Sequence, residues 1–311
     1  MVNNKKKENV AILSVVSNTT LVILKLIFGI IIGSVSVISE AIHSGVDLLA
    51  AVIAWFAVKK ASTPPDNKHH YGHGKFENVS GTIEAILIFF AAGWIIFESV
   101  KKITSSQPIE DVGMGIIIMF FSSLVNLFVS SRLFKVGKET DSLALQADGW
   151  HLRTDVWTSF GVAAGLSLYW LGKKIFPDIN LNWIDPVAAF FVALLIINAA
   201  YKLTIQSAGG LLDESLPPDE EKKVIDIIKS MVPKVYSFHN LKTRKAGADR
   251  FVEFHLIVDA DMTVQKSHDI CEEITQNIKI ALPEALVMIH IEPCNKNNCS
   301  KKCLDNCNLI K

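Results

Sequence analysis

Hydrophobic residues are distributed unevenly along the chain. Nearly all the long apolar runs lie between residue 9 and about residue 206, whereas residues 207–311 mix polar and apolar positions as soluble domains do. A membrane-spanning helix needs about 20 mostly apolar residues, and its backbone must be hydrogen-bonded within the segment. The pattern therefore predicts six transmembrane α-helices over residues 1–206. The predicted segments are roughly 9–33, 36–60, 79–103, 112–134, 143–172 and 184–206.

The pattern changes after Gly209-Gly210. Proline followed by acidic residues, as in 217–221, is typical of a helix start, while period-two alternation predicts strands and helical spacing predicts an amphipathic helix. The predicted elements are a helix from 218 to about 231, strands at 236–246, 250–259 and 285–292, and a helix at 263–282. The order αββαβ predicts a small α+β domain over residues 207–294 with helices on one sheet face. Residues 295–311 are polar and are predicted to form a flexible tail.

Basic residues in the loops predict the orientation of the helices. Ten lysines and arginines fall on the side of the N-terminus and four on the other side. The positive-inside rule then places both termini in the cytosol of a multi-pass protein of the inner (plasma) membrane. The ten are Lys5, Lys6, Lys7, Lys59, Lys60, Lys68, Lys75, Arg132, Lys135 and Lys138, and the four are Lys101, Lys102, Lys173 and Lys174.

Composition narrows the classes of function. The formal net charge is +0 and the mean hydropathy is +0.33, so no overall basic field indicates nucleic-acid binding. All five cysteines lie in the last 41 residues, which does not resemble an extracellular disulfide framework. Four of them, Cys294, Cys299, Cys303 and Cys307, lack the paired spacing of a zinc ribbon. The tail either binds a soft metal or is a disordered segment whose cysteines matter little.

The strongest chemical signal is a pair of matching His-x-x-x-Asp motifs. His43 and Asp47 lie four residues apart in the second segment, and His151 and Asp155 repeat that spacing in the fifth. Residues four apart share one helix face, so two facing stripes offer two nitrogens and two oxygens, a set that suits tetrahedral zinc. The alternative is that these groups only hydrogen-bond across a helix bundle.

Enzyme classes are disfavoured by the motifs that the sequence lacks. It contains neither the HExxH pattern of a metalloprotease nor a P-loop for ATP. A four-ligand metal set also leaves little room for the open position that a catalytic metal needs. Transport driven by an ion gradient fits better, since an ionisable group inside a membrane span marks an ion pathway by default.

Several motifs together resemble the cation diffusion facilitator family over roughly residues 10–294. The likeness is nearest to bacterial zinc and iron exporters, some of which carry aspartate at the position of His43. The resemblance implies a homodimer, alternating access, proton antiport and a ferredoxin-like cytosolic domain. The motifs are Gly33-Ser34, the run Ser39 to Asp47, His70 to Lys75 with Glu77, Ala147 to Asp155, and Trp183 to Pro186.

The resemblance also implies further metal sites and one ion pair. A loop site would use Asp66, His69 and His73, although a histidine-rich loop is weak on its own. A binuclear zinc site in the cytosolic domain would use His239, His255, His268, His290 and Glu292, where relatives carry aspartate in place of the glutamate. An ion pair between Lys75 and Asp213 would hold the dimer near the membrane.

These observations predict a divalent cation exporter. The expected substrate is zinc, exchanged for protons, and zinc is also expected as a regulatory ligand of the cytosolic domain. A second histidine in the transport site favours zinc over manganese, which prefers oxygen ligands. The alternatives are a membrane-bound metal sensor that does not transport, and an exporter of iron, cobalt, cadmium or manganese.

Overall fold

A computed structural model describes residues 2–32, 35–105, 113–175 and 183–294. The chain divides into two compact units, Met1–Gly209 and Gly210–Lys311. The predicted boundary at residue 206 differs by three residues. The predicted tail of residues 295–311 lies outside the described residues and stays a prediction.

Long helices form the first unit. Because the apolar runs are long and contain no proline beyond the first turn of a helix, each run continues as one helix. Within the described ranges these are α1 Val2–Ile32, α2 Val35–Ala61, α3 Lys75–Ser105, α4 Gly113–Glu139, α5 Leu143–Ile175 and α6 Ile184–Leu211.

Four of the described helices are long and apolar enough to cross a membrane. They are α1, α2, α3 and α6, over Asn4–Ile31, Ala41–Ala61, Lys75–Thr104 and Pro186–Leu211. The fifth helix carries Asp148, His151, Arg153 and Asp155 within its length, and such groups should face a bundle interior rather than lipid. The count of six spans stays a prediction.

Small residues allow the helices to pack closely. One buried cluster joins α1, α2 and α5 through residues such as Ala11, Ala57 and Ala144. A second joins α3, α5 and α6 through residues such as Ala85 and Ala147. Small side chains at these positions bring backbones together, which is how helices associate in lipid.

The first helix begins earlier than hydropathy predicts. It starts at Val2 rather than at residue 9, and its polar first turns are part of the packed bundle. Lys7 is only 6% exposed, and its Nζ donates to Oε1 of Glu77 at the start of α3 at 3.1 Å. Hydropathy marks the apolar stretch alone, whereas helical hydrogen bonding continues wherever side chains find partners.

The sixth helix ends later than predicted, because its helical hydrogen bonding also continues beyond the apolar stretch. It continues through Gly209-Gly210 to Leu211, so both glycines are helical. Within the first unit, the Asn78 amide Nδ2 donates to the carbonyl of Ser207 at 3.1 Å. This bond ties the start of α3 to the end of α6.

The second unit has the predicted order αββαβ, which is confirmed. Its elements are α7 Pro218–Ser230, β1 Ser237–Ala246, β2 Asp249–Val258, α8 Val264–Ala281 and β3 Ala285–Pro293. The sheet order is β1-β2-β3, with β1 antiparallel and β3 parallel to β2. A parallel pair needs a crossover connection, and α8 supplies it.

The two faces of this sheet differ in chemistry. Phe254 and Leu256 of β2 pack with Ile228 of α7 and with Ile274 and Ile278 of α8 in the buried core. Alternation along a strand sends neighbouring residues to the opposite face. The other face of the sheet therefore carries the intervening residue, His255, and its partners on β1 and β3.

Candidate metal sites

The transport-site candidates on α2 and α5 pair crosswise. Nε2 of His151 lies 3.1 Å from Oδ1 of Asp47, and Nε2 of His43 lies 3.9 Å from Oδ1 of Asp155. The residue nearer the start of one helix thus meets the residue nearer the end of the other, so α2 and α5 run antiparallel. Because the histidine precedes the aspartate in both His-x-x-x-Asp motifs, antiparallel packing sets each imidazole opposite a carboxylate.

The four side chains lie at different depths. Those of Asp47 and His151 are 6% and 7% exposed, whereas those of Asp155 and His43 are 21% and 55% exposed. Ligand atoms of His43, Asp47 and Asp155 all lie within 4.8 Å of one another. Among the described residues, buried Oδ2 of Asp155 and Nδ1 of His151 have no hydrogen-bond partner. Buried polar atoms rarely stay unpaired, which indicates that this cluster is built for a further ligand.

A cavity of about 80 Å³ adjoins these groups. Since roughly 10–15 Å³ suffices for one water molecule, it has room for an ion with some of its hydration. Hydroxyl and amide groups make its wall polar. It is lined by Lys25, His43, Ser44, Asp47, Ser122, Ser123, Asn126, Asp155, Thr158 and Ser159.

Two charged residues near this site were missed by sequence reasoning. Lys25 of α1 lines the cavity, and Glu84 of α3 is fully buried close to Asp148 and His151 of α5. Both interrupt long apolar runs. An ionisable residue within a membrane span is itself a functional signal, and applying that rule to α1 and α3 would have found them.

The loop candidates form a compact cluster outside the membrane spans. Oδ1 of Asp66 lies 3.3 Å from Nδ1 of His69, and Oδ2 lies 3.2 Å from Nε2 of His73. Backbone N–H groups of Lys68 and His69 donate to Asp66 at 2.8 and 2.7 Å, and they lower the pKa of this carboxyl to about 2. The carboxylate is therefore ionised at any physiological pH.

The buried imidazole of His73 is held from behind. Its Nδ1 lies 3.3 Å from the carbonyl oxygen of Thr63, which can only accept a hydrogen bond. A proton on Nδ1 leaves the Nε2 lone pair facing Asp66. A hydrogen bond on the far nitrogen is how metal-ligating histidines are usually oriented.

The histidines of the sheet form a row across three strands. His239 on β1 is in register with His255 on β2, which is in register with His290 on β3. Successive ring centroids lie 5.0 and 4.8 Å apart. Glu292, two residues beyond His290, therefore shares the same face. Backbone register alone brings these side chains together, although they are far apart in sequence.

Glu292 is the hub of this row. Its Oε1 lies 2.7 Å from Nδ1 of His255 and 3.9 Å from Nε2 of His290, and its Oε2 lies 3.4 Å from Nε2 of His239. The side chains of His239, His255 and Glu292 are about one-third exposed, and that of His290 is 67% exposed. The long glutamate thus reaches all three imidazoles, and the cluster stays open to solvent.

Some predicted residues are not brought together within one chain. His268 lies exposed on α8, which packs on the opposite, apolar face of the sheet. One chain therefore does not bring it to the other ligands, and its role as a ligand stays a prediction. Oδ1 of Asp213 accepts from Nη1 of Arg244 at 3.2 Å. The predicted Lys75–Asp213 pair would join residues of different units, and it stays a prediction. Cys299, Cys303 and Cys307 fall outside the described residues.

Comparison with known proteins covers most of the chain. Residues 11–212 match the family described as the cation efflux transmembrane domain, and residues 216–294 match the cation efflux protein cytoplasmic domain. An uncharacterized transporter of Synechocystis, sll1263, is 34% identical over 283 residues, which are 91% of this chain and 89% of that protein. The cation-efflux pump FieF of Yersinia pestis is 30% identical over 266 residues, 85% of each chain.

Two solved structures are similar to part of this chain. The zinc form of CzrB is 33% identical and covers 29% of this chain and 99% of its own, with a TM-score of 0.27. The metal-bound C-terminal domain of CzcD from Thermotoga maritima is 25% identical and covers 24% of this chain and 87% of its own, with a TM-score of 0.23.

The family matches extend over both units and leave few residues outside them. Their domain order, membrane part first and cytoplasmic part second, is also the order of the two compact units. The chain therefore belongs to the cation diffusion facilitator family, and it is a homodimeric membrane transporter for the efflux of divalent metal ions, not an enzyme.

Proposed function

We propose that the protein exports zinc in exchange for protons. The observation that carries the proposal is the crosswise arrangement of two imidazoles and two carboxylates on antiparallel α2 and α5. This donor set suits tetrahedral zinc, whereas manganese and magnesium favour all-oxygen sites. His43, Asp47, His151 and Asp155 are the proposed ligands.

Proton exchange follows from the chemistry of the ligands. Imidazole and carboxylate must be deprotonated to bind a metal, so zinc binding releases protons. On the outer side, protons compete for the same atoms and displace the ion. Histidine changes charge in the physiological pH range, which makes this exchange feasible without ATP. The transporter would lie in the inner membrane with both termini in the cytosol.

The sheet cluster is proposed as a regulatory zinc site. His239, His255, His290 and Glu292 come from three strands, so a bound ion ties the sheet together. Their face is open to solvent, which leaves coordination positions for a second subunit. His268 would then have to be supplied by that subunit. Zinc bound there would favour one arrangement of the two cytosolic domains over another, as a population shift requires.

The loop cluster and the ion pair have smaller proposed roles. Asp66, His69 and His73 would bind zinc weakly, because two imidazoles and one carboxylate leave the ion partly hydrated. Lys75 and Asp213 would join the membrane and cytosolic parts. Exposed ion pairs are worth only about 0–1 kcal/mol each, so this pair would tune the junction rather than hold it.

The test is ion uptake into proteoliposomes that contain the purified dimer. Zinc should accumulate in vesicles with an acidic lumen. The rate of zinc uptake should fall when the pH gradient is collapsed. A parallel panel of cobalt, cadmium, manganese and iron measures selectivity. Uptake that ignores the pH gradient would contradict proton exchange, and zinc binding without uptake would favour a sensor.

A further inference from the structure

A buried lysine faces the proposed transport site. Lys25 lies in the apolar stretch of α1 and is only 5% exposed. Its Nζ donates to Oγ of Ser44 on α2 at 2.8 Å. A hydroxyl is a neutral acceptor, whereas a charge in a membrane interior is expensive unless opposite charge is near.

The opposite charge lies in the same cavity. Lys25 and Ser44 line the space that His43, Asp47 and Asp155 also line, so the ammonium and both carboxylates share one cavity. Two carboxylates and one ammonium leave the metal-free site with one negative charge, which a single proton on a ligand neutralises. A divalent ion on the same carboxylates repels the ammonium, so the ion and the lysine compete for one pair of acids.

The lysine side chain is built for such an exchange. Its ammonium is a compact charge on a flexible four-carbon stem with three rotatable donors. Ser44 follows the ligand His43 directly in α2 and is itself only 3% exposed. The hydroxyl therefore offers a neutral acceptor beside the site, and Ser44 is not one of the proposed metal ligands.

We propose that Lys25 is a tethered counter-cation of the transport site. When the divalent ion leaves, the ammonium moves from Ser44 to the carboxylates of Asp47 and Asp155. Together with a proton taken up in exchange for the ion, it neutralises the metal-free site while the transporter returns to the inward state. When the next ion binds, the ammonium moves back to Ser44. The proposal rests on the assignment of these acids as transport ligands.

If Lys25 is a counter-cation, its loss should affect net zinc transport more than the exchange of zinc for zinc. Net efflux requires the metal-free, proton-loaded transporter to return, whereas exchange of zinc for zinc across the membrane does not. Without the lysine, the empty site keeps an uncompensated charge in a low-dielectric interior, where such charge is far more costly than in water. The ratio of net zinc uptake to zinc–zinc exchange should therefore fall.

The experiment compares Lys25→Met with Ser44→Ala in the reconstituted dimer. Lys25→Met removes the competitor, so zinc should bind about tenfold more tightly at pH 8, and the flux ratio should fall about tenfold, a change that corresponds to one charge interaction. Ser44→Ala removes the acceptor that holds the ammonium aside, so zinc should bind several-fold more weakly. Isothermal titration and isotope flux measure both.

Opposite signs are the diagnostic result. If Lys25 only bridges α1 and α2, both variants lose the same hydrogen bond and shift zinc affinity in the same direction, which would overturn the proposal. If Lys25→Met does not fold, unchanged zinc affinity in Ser44→Ala overturns it as well. Wild-type protein that shows no zinc flux would instead contradict the proposed function.

Discussion

The helix site and the sheet site use the same residue types in opposite surroundings. His151 and Asp47 are almost wholly buried between helices, whereas His255 and Glu292 are about one-third exposed on a sheet face. The helix site has two carboxylates for two imidazoles, and the sheet site has one for three. A bound ion would therefore neutralise the charge of the helix site, whereas in the sheet site it would mainly cross-link the three strands.

This difference assigns different tasks to the two sites. In a dry interior, charge interactions are strong and each loss of the ion must be compensated, which is the reason for the proposed coupling of binding to protons and to Lys25. On a wet surface, screening weakens the charges, and the backbone register already holds the ligands. The first site suits release and rebinding, and the second suits occupancy that follows zinc concentration.

The largest expected effect is the loss of a buried acid. Asp47→Ala or Asp155→Ala should reduce zinc uptake by at least about 100-fold, because removing one charged partner leaves the rest of a buried cluster uncompensated. Glu292→Ala is the matched control in the sheet site and should retain uptake at high zinc. Normal uptake in either folded aspartate variant would remove these residues from the transport site.

Selectivity should change next. His43→Asp replaces a nitrogen by oxygen and should move the preference from zinc towards manganese or iron. The change should appear as roughly a tenfold shift in the competitive uptake of zinc against manganese, about 1.4 kcal/mol of differential binding. An unchanged ratio would show that selectivity is set elsewhere.

The sheet site should modulate flux rather than abolish it. His255→Ala combined with His290→Ala should lower uptake a few-fold at low zinc and leave it near normal at saturating zinc. Spin labels on the two cytosolic domains of the dimer should move closer with zinc in the wild type. They should move less in the double variant. Identical distance distributions with and without zinc would leave this domain a dimerisation module only.

A smaller effect is expected at the loop cluster. Because the pKa of Asp66 is about 2, its charge is present above that pH and is lost only as pH falls through it. Zinc binding between pH 5 and 8 should then follow imidazole protonation alone. The check is the zinc bound by wild type minus that bound by Asp66→Asn at each pH. A carboxylate step near pH 4 in this difference would contradict the assignment.

The smallest effect is expected from the tail. Deletion of residues 295–311 should leave zinc uptake unchanged within error, because the segment follows β3 and has few apolar residues to pack. A Cys294→Ala variant controls for the last described cysteine. Loss of uptake in a well-folded truncation would show that the tail takes part in transport.

Local pattern was sufficient for much of this protein. Hydropathy and periodicity located the helices and all five elements of the second unit. Repeated spacing singled out the two His-x-x-x-Asp motifs. Such features depend on residues a few positions apart, where helix and strand geometry fix which side chains share a face. Even the ends that it misplaced, at Val2 and Leu211, lie where polar side chains continue a helix beyond its apolar stretch.

Only the tertiary structure decided which faces meet. Antiparallel packing of α2 and α5 pairs each histidine with the other helix's aspartate, and parallel pairing of β2 with β3 aligns His255 with His290. The tertiary structure also sets Lys25 beside the proposed transport site and leaves His268 on the far side of the sheet. Contacts between elements depend on register and direction over long separations. One chain's periodicity does not encode them, because the same helix face could pack against several partners.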